Sequence, residues 1–380
     1  MDQKNRKGPE TVNKKIRVAI IFGGKSAEHE VSLQSAKNVI EAIDKKKYEV
    51  LSIGIDKEGQ WYLGEPSRFF LNADDPKRIA LNLNNAQRIA LIPSGQAGNE
   101  LVSLTNYQSL GHIDVVFPVL HGPYGEDGTI QGLLKLFNTP FVGAGVLGSA
   151  VGMDKDVMKR LLRDGGVPVP KFLVFHDSQL ASIDFDDVTK QLGLPFFVKP
   201  ANLGSSVGIH KVKERAHFTP ALQDAFLYDT KILIEEYIHC REIECSVLGN
   251  EDPIASIPGE IIPQHEFYSY EAKYIDEHGA KLEIPANLAP ELMQRFQALA
   301  IQTYRVLCCE GMARVDFFLR NNREIFVSEI NTIPGFTKIS MYPKLWEASG
   351  IPYSELIDRL IQLALKRFEK ERKLKASFVI

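Results

Sequence analysis

The sequence predicts a multidomain chain of α/β and α+β class whose first unit is built on a parallel sheet. Three observations carry this. The chain has 380 residues, too many for one small core and suited to about two or three domains. The apolar run IRVAIIF at 16–22 precedes residues at helical spacing and then a second apolar run, the alternation expected of a βαβ unit. From residue 171 onward, short strand-like segments bounded by Gly, Pro and Asn recur, which suits an α+β unit.

Taken in order, Ile16–Phe22 ends at Gly23-Gly24 and reads as a strand buried on both faces. Leu33, Ala36, Val39, Ile40 and Ile43 mark a helix face, Tyr48–Ile55 a second strand, Asp114–Leu120 a third, and Gly128–Phe137 a further helix. Residues 56–112 are polar and rich in Asn and Gln and give no clear pattern. A Gly-rich crossing, Val142–Gly152, leads to a helix beginning near Asp154, which stops at GGVPVP. Strands are expected at Lys171–Phe175, Pro195–Lys199, Val207–Val212 and Ile232–Glu235. A helix over Pro290–Val306 precedes a hairpin over 312–329, and a last helix covers Ser354–Lys375. The closing KRFEKERKLK run is expected to be a solvated helix end.

Composition narrows the function. Forty-five Lys and Arg against 48 Asp and Glu give a net charge of -3, which argues against broad nucleic-acid binding. The first fifteen residues are polar and lack the apolar core of a secretory signal. The longest weakly polar stretch, Phe141–Met153, is Gly-rich and shorter than the roughly 18 residues a membrane span needs. Four cysteines without a CxxC pair suggest neither a disulfide framework nor a zinc site. The expectation is a reduced, cytoplasmic protein that does not enter the membrane.

Two short motifs mislead. Gly24-Lys25-Ser26 follows a strand, but a P-loop needs a Gly where Ala19 stands inside that strand. Gly204-Ser205-Ser206-Val207-Gly208 matches the G-x-S-x-G elbow of serine hydrolases. Yet the residues after it alternate like a strand, and no His follows His278 to act as base. A hydrolase using Ser206 is therefore the remote alternative.

The same Gly/Ser loop, coming after Lys199, can bring backbone N–H groups and a cation to a polyanion. The hairpin is more informative. If Asn321-Asn322 forms its turn, Arg314 lies opposite Glu329 and Asp316 opposite Val327. Arg314, Asp316, Phe318, Val327, Glu329 and Asn331 then share one face. Asp316 and Glu329 become diagonal neighbours, about 7–8 Å apart. Two carboxylates and an amide oxygen at that spacing can hold Mg²⁺ completed by water and phosphate. From the hairpin alone, a surface ribbon with an Arg314–Glu329 ion pair fits equally well. The Pro334-Gly335 turn that follows can present an N–H to an oxyanion, and together these parts suit phosphoryl transfer from a nucleotide.

The chain resembles the D-alanine–D-alanine ligases of the ATP-grasp superfamily. Five segments carry the likeness: FGGKSAEHEVS at 22–32, LHGPYGEDGTIQG at 120–132, KPANLGSSVG at 199–208, EFYSYEAKY at 266–274, and RVDF with SEINTIPGFTKIS at 314–340. The resemblance implies an ATP-grasp architecture behind a Rossmann-like first domain. Its parts would be a tail at 1–15, an N-terminal domain at 16–143, a central domain at 144–238 and a C-terminal domain with a lid at 239–380.

The resemblance also implies the site. Lys155 and Lys199 would contact ATP phosphates, with Ser205 and Ser206 in a closing loop. Glu235 and Ile238 would frame the adenine, Glu236 would also bind ATP, Glu242 would bind the ribose, and Lys273 would reach ATP from the lid. Asp316, Glu329 and Asn331 would ligate two Mg²⁺ ions, with Mn²⁺ able to substitute. Glu28, with His121 nearby, would meet the ammonium of the first D-alanine. Glu28, Ser205 and Tyr274 would form a bridge between domains. Arg314 and the Gly335 N–H would stabilise the oxyanion. Ser340 and Lys273, beside Met341, would hold the second carboxylate. A homodimer making a peptidoglycan precursor is implied, with D-lactate or D-serine as the alternative second substrate.

Overall fold

The computed structural model describes residues 14–95, 98–205, 207–263 and 280–375. The expected lid residues Lys273 and Tyr274, and Ser206 of the Gly/Ser loop, lie outside them.

The first sheet contains β1 (Ile16–Gly23), β2 (Tyr48–Ile55), β3 (Trp61–Gly64), β6 (Gln87–Ser94), β7 (Gly98–Ser103) and β8 (Val115–Val119), with β4 (Phe70–Leu71) and β5 (Ala80–Leu81) forming a separate two-stranded ribbon. Its strand order is β7-β6-β3-β2-β1-β8. β1 runs parallel to both β2 and β8, and the β3, β6 and β7 strands continue the sheet antiparallel. Those three strands come from the polar region that shows no pattern in the sequence. They are largely half-exposed, so they lack the unbroken apolar runs of buried strands.

β1 is covered on both faces. Val18, Ile20 and Phe22 pack with Leu33, Ala36 and Val39 of α1 (His29–Ala42), while Ala19 and Ile21 pack with Ile130 and Leu134 of α2 (Thr129–Leu136). The expected crossing at 142–152 is instead largely helix α3 (Val146–Met153). Its glycines serve packing: a Cβ on Gly148 would lie 2.7 Å from the Cys308 carbonyl oxygen. α4 (Lys155–Asp164) follows directly, with the Asp154 carboxylate accepting from the N–H groups of Asp156 and Val157.

A second, antiparallel sheet has the order β11-β10-β12-β9, from β9 (Phe172–His176), β10 (Phe196–Pro200), β11 (His210–Val212) and β12 (Lys231–Glu236). Helices α5 (Phe185–Leu192) and α6 (Phe218–Ala225) cover it around Phe196 and Phe218, whose rings meet edge-on at 5.7 Å. The third sheet runs β16-β15-β13-β17-β18, with β14 (Ile254–Ala255) beside β13. Its strands are β13 (Arg241–Gly249), β15 (Gly259–Pro263), β16 (Ala280–Glu283), β17 (Gly311–Arg320) and β18 (Glu324–Asn331). One face packs on α7 (Pro290–Val306) through Phe296, Ala300 and Phe317. The other face holds Glu242, Glu244, Arg314 and Asp316 and looks into a cleft.

Two helices close the chain: α8 (Met341–Ala348) and α9 (Tyr353–Glu371). α9 returns to the first sheet. Its Arg367 lies inside the run expected to be solvated, yet it is buried. It donates to the carbonyls of Gly143 and Phe141 at 2.6 and 2.8 Å, and its guanidinium stacks on the Phe141 ring. Among the described residues no helix is long and apolar enough to cross a membrane.

Candidate active site

The second and third sheets, with Glu28, His121 and Glu126 from segments that follow strands of the first sheet, present polar side chains to one cavity of about 730 Å³. The third sheet contributes its β17–β18 hairpin, and here the register differs from expectation. The loop has three residues, because Arg320 pairs with Glu324, and a bulge then interrupts the ladder between Asp316 and Phe317. Phe317 faces Val327 and Asp316 faces Glu329, so Ser328 has no residue opposite it. Each departure moves the pairing by one. Asp316 and Glu329 are thus directly opposite rather than diagonal, and Arg314 faces Asn331 rather than Glu329. Val327 belongs to the buried core with Phe317, not to the polar face. The bulge is what returns Glu329 and Asn331 to the cleft side, a known use of such irregularities beside sites.

Arg314 lies between two acids. Its Nε is 2.8 Å from Glu244 Oε2, and its Nη2 is 2.7 Å from Asp316 Oδ2. The Asn331 amide donates to that same Asp316 oxygen at 3.0 Å. Asp316, Glu329 and Asn331 form an oxygen-donor set that fits Mg²⁺. Among the described residues no three His, Cys, Asp or Glu converge as a ready metal cage, so a cation held there would need waters or phosphate oxygens to complete its shell.

The second sheet and α4 supply cations. Lys199 on β10 and Lys155 at the start of α4 line the cavity. The Lys155 ammonium donates to the Leu203 carbonyl in the Gly/Ser loop. Burial, with Lys199 and Lys159 nearby, lowers the Lys155 pKa against the pull of Glu329. Glu235, expected at the adenine, has its carboxylate closed between Lys199 at 2.5 Å and Lys159 at 2.7 Å. Burial raises its pKa, but the two ammonium groups outweigh this and hold it at about 2. Glu236 accepts the Lys171 N–H at 2.7 Å and lines the cavity with Ile238 and Glu242. Ile209, Ile238 and Phe318 give that end an apolar wall.

At the other end, Ser205 of the Gly/Ser loop donates to Glu28, just before α1. Glycines let these parts meet. A Cβ on Gly122, at φ +74°, would stand 2.6 Å from the Glu28 carboxylate. His121 is buried, and that burial lowers its pKa to about 4, so the ring is neutral near pH 7. Its Nδ1–H donates to the Ile333 carbonyl at 3.0 Å, and its Nε2 faces Ser35 Oγ at 3.2 Å. Ser35 in turn accepts the Phe336 N–H at 3.2 Å. The turn carrying Gly335 is therefore held by α1 and by the segment that follows β8. Ser340 accepts the Thr337 N–H at 3.0 Å and lines the cavity with Met341 and Gly335.

Three titratable groups at or behind the site escape the sequence reading: Glu126, Lys159 and Glu244. Glu126 accepts the N–H groups of Gly122 at 2.8 Å and Ile333 at 3.1 Å. Burial, and then the neighbouring charge of Glu28, push its pKa up to about 8. Its signal was an acid inside the Gly-rich segment 120–132. Lys159 repeats Lys155 one helical turn on, the i,i+4 spacing that places both on one face. Glu244 alternates with Glu242 along β13.

Two family models match the chain. The D-ala D-ala ligase N-terminus matches residues 17–144 and the D-ala D-ala ligase C-terminus residues 161–362. A curated D-alanine–D-alanine ligase of Shouchella clausii is 58% identical over 363 residues, covering 96% of this chain and 98% of the relative. D-alanine–D-alanine ligase A of Escherichia coli K12 is 52% identical, with 96% and 99% covered. Among solved structures, the D-alanine–D-alanine ligase of Coxiella burnetii has a TM-score of 0.83 at 41% identity, covering 94% of this chain and 96% of that one. The VanG D-Ala:D-Ser ligase of Enterococcus faecalis has a TM-score of 0.81 at 36% identity, covering 92% and 100%. These neighbours share the ATP-grasp fold. Matched in order over nearly its whole length, the chain belongs to the D-alanine–D-alanine ligase family.

Proposed function

We propose that the protein joins two D-alanine molecules at the expense of ATP, giving D-alanyl-D-alanine, ADP and phosphate for peptidoglycan precursor synthesis. One observation carries the reading: two lysines, an opposed Asp–Glu pair and a Glu–Ser bridge all line one cavity. A carboxylate is a poor electrophile, so it must first be activated. A carboxylate oxygen of the first D-alanine attacks the γ-phosphorus, the bond to the β–γ bridging oxygen breaks, and ADP leaves. The acylphosphate formed then accepts the neutral amine of the second D-alanine at its carbonyl carbon. The tetrahedral oxyanion collapses, phosphate departs with the former carboxylate oxygen, and the amine proton is lost.

The residues divide this work. Lys155 and Lys199 hold the phosphates, and Glu235 fixes Lys199. Glu236 and Ile238 stand at the adenine and Glu242 at the ribose. Mg²⁺, two ions or Mn²⁺ in their place, fits Asp316, Glu329 and Asn331 and supplies neutralisation of the phosphate charge. Glu28 orients the first ammonium and, through Ser205, ties the first domain to the closing loop. Arg314 and the Gly335 N–H face the oxyanion, a type of contact worth on the order of 10²–10³ in rate per donor. Ser340 takes the second carboxylate. Loop closure keeps water from the acylphosphate.

The test is phosphate release with ATP, Mg²⁺ and D-alanine, with L-alanine as control. Release only with D-alanine is expected; release without any amino acid contradicts the reading. D-serine as second substrate is the other reading, favoured by the VanG likeness. Competition of D-serine and D-lactate against D-alanine separates them. A hydrolase using Ser206 needs no ATP. Placement in the cytoplasm agrees with four free cysteines, and a homodimer is part of the same proposal.

A further inference from the structure

Lys159 is fully buried: its side chain is 0% exposed. Among the described residues lining the cavity, Lys155 and Lys199 appear and Lys159 does not. It therefore lies behind the cavity wall. Placing an ammonium in a protein interior is costly unless partners repay the lost hydration, and burial does lower its pKa. Its two partners come from two different sheets. One is Glu235 of β12, at 2.7 Å, whose other oxygen holds Lys199 at 2.5 Å. The other is the carbonyl of Ser328, at 3.1 Å.

Ser328 is the bulge residue of β18, the one with no opposite number on β17. Its extra place in the strand is what turns Glu329 and Asn331 toward the cleft. A bulge disrupts the local ladder and frees a carbonyl from strand pairing. A fixed ammonium on that carbonyl is thus a means of holding the irregularity in one geometry.

We propose that Lys159 is a positioning residue that locks the phosphate-binding lysine and the metal-binding strand to each other: one ammonium is shared between the carboxylate that holds Lys199 and the bulge carbonyl that aims Glu329 and Asn331. Nucleotide phosphates on Lys199 and the cation on β18 then meet in a preset relation. This deepens the ATP-dependent reading above and rests on it.

Lys159→Met alone would leave the Glu235 carboxylate with Lys199 as its one remaining ammonium, so the test compares Glu235→Gln with Glu235→Gln/Lys159→Met. Neither protein carries the buried carboxylate, so the pair compares Lys159 present and absent with no change in charge at position 235. The probe is a non-hydrolysable ATP analogue titrated calorimetrically into the full chain, with excess Mg²⁺ and with chelator. The expected result is that the affinity gain from Mg²⁺ in the double variant is smaller by about tenfold, the worth of one hydrogen bond from a charged group. In metal-free, nucleotide-free protein, amide exchange at 328–331 should also be faster in the double variant. Equal Mg²⁺ gains in the two proteins would overturn the proposal and leave Lys159 as a counter-ion of Glu235. A double variant that cannot fold while Glu235→Gln does would overturn it too, by assigning Lys159 to the core. Failure of the wild type to bind the analogue at all would strike the ATP-dependent reading instead.

Discussion

Replacing Arg314 by methionine keeps an apolar stem of similar length and removes a guanidinium that lies between two acids. Arg314 is 17% exposed, Glu244 8% and Asp316 16%, with contacts of 2.8 and 2.7 Å. Removing one partner from so sheltered a group leaves uncompensated carboxylates and costs about 3–5 kcal/mol. Glu329, directly across the strand from Asp316, adds to the repulsion. Mg²⁺ fits these carboxylates, so adding it should return more stability to Arg314→Met than to the wild type. Turnover should fall on the order of 10²–10³, the worth of one oxyanion donor. Lys in its place restores charge without the two-pronged geometry, so Arg314→Lys should recover stability more than rate. Denaturant unfolding with and without Mg²⁺, paired with phosphate-release kinetics, reads both effects. Wild-type turnover in Arg314→Lys, or unchanged stability in Arg314→Met, would show that the guanidinium holds neither the acids nor the oxyanion.

Two further predictions concern neighbouring acids. Glu329→Gln should nearly abolish turnover while circular dichroism stays that of the wild type, because the residue is a proposed metal ligand on an otherwise intact hairpin. Turnover like that of the wild type would remove Glu329 from the site. Glu126 has a folded pKa of about 8 against an ordinary 4.5, so the native state holds a proton that the unfolded chain releases. Stability contributed by that proton is present at low pH and is lost as pH rises from 4.5 toward 8. Glu126→Gln should therefore flatten the decline of unfolding free energy over that window, and parallel curves for the two proteins would show the carboxyl to be ionised throughout.

What the sequence made legible follows from how strongly each segment's physics is local. β1 is an unbroken β-branched run, and it is buried on both faces. α7 begins at Pro290 and ends at Val306 as its spacing indicates. The hairpin was legible as a hairpin. Its register was not, because a third loop residue and the bulge at Ser328 each move the pairing by one. Alternation alone does not encode either step. Here the two shifts together put Glu329 directly across from Asp316, closer than the diagonal placement. Glu126 and Lys159 stayed hidden for another reason. A charged residue reads as solvated unless its partners are known, and theirs lie far along the chain: Ile333 for Glu126, and Glu235 and Ser328 for Lys159. The half-exposed β3, β6 and β7 strands carry too little apolar pattern to be read before they pair.

If ATP activates the first D-alanine as an acylphosphate, a carboxylate oxygen must leave with the phosphate. D-alanine labelled with ¹⁸O in its carboxylate tests this most directly, by mass spectrometry of the phosphate released. One labelled oxygen is expected in each phosphate, carried across when the acyl C–O bond breaks. Unlabelled phosphate, or label appearing in AMP, would contradict it.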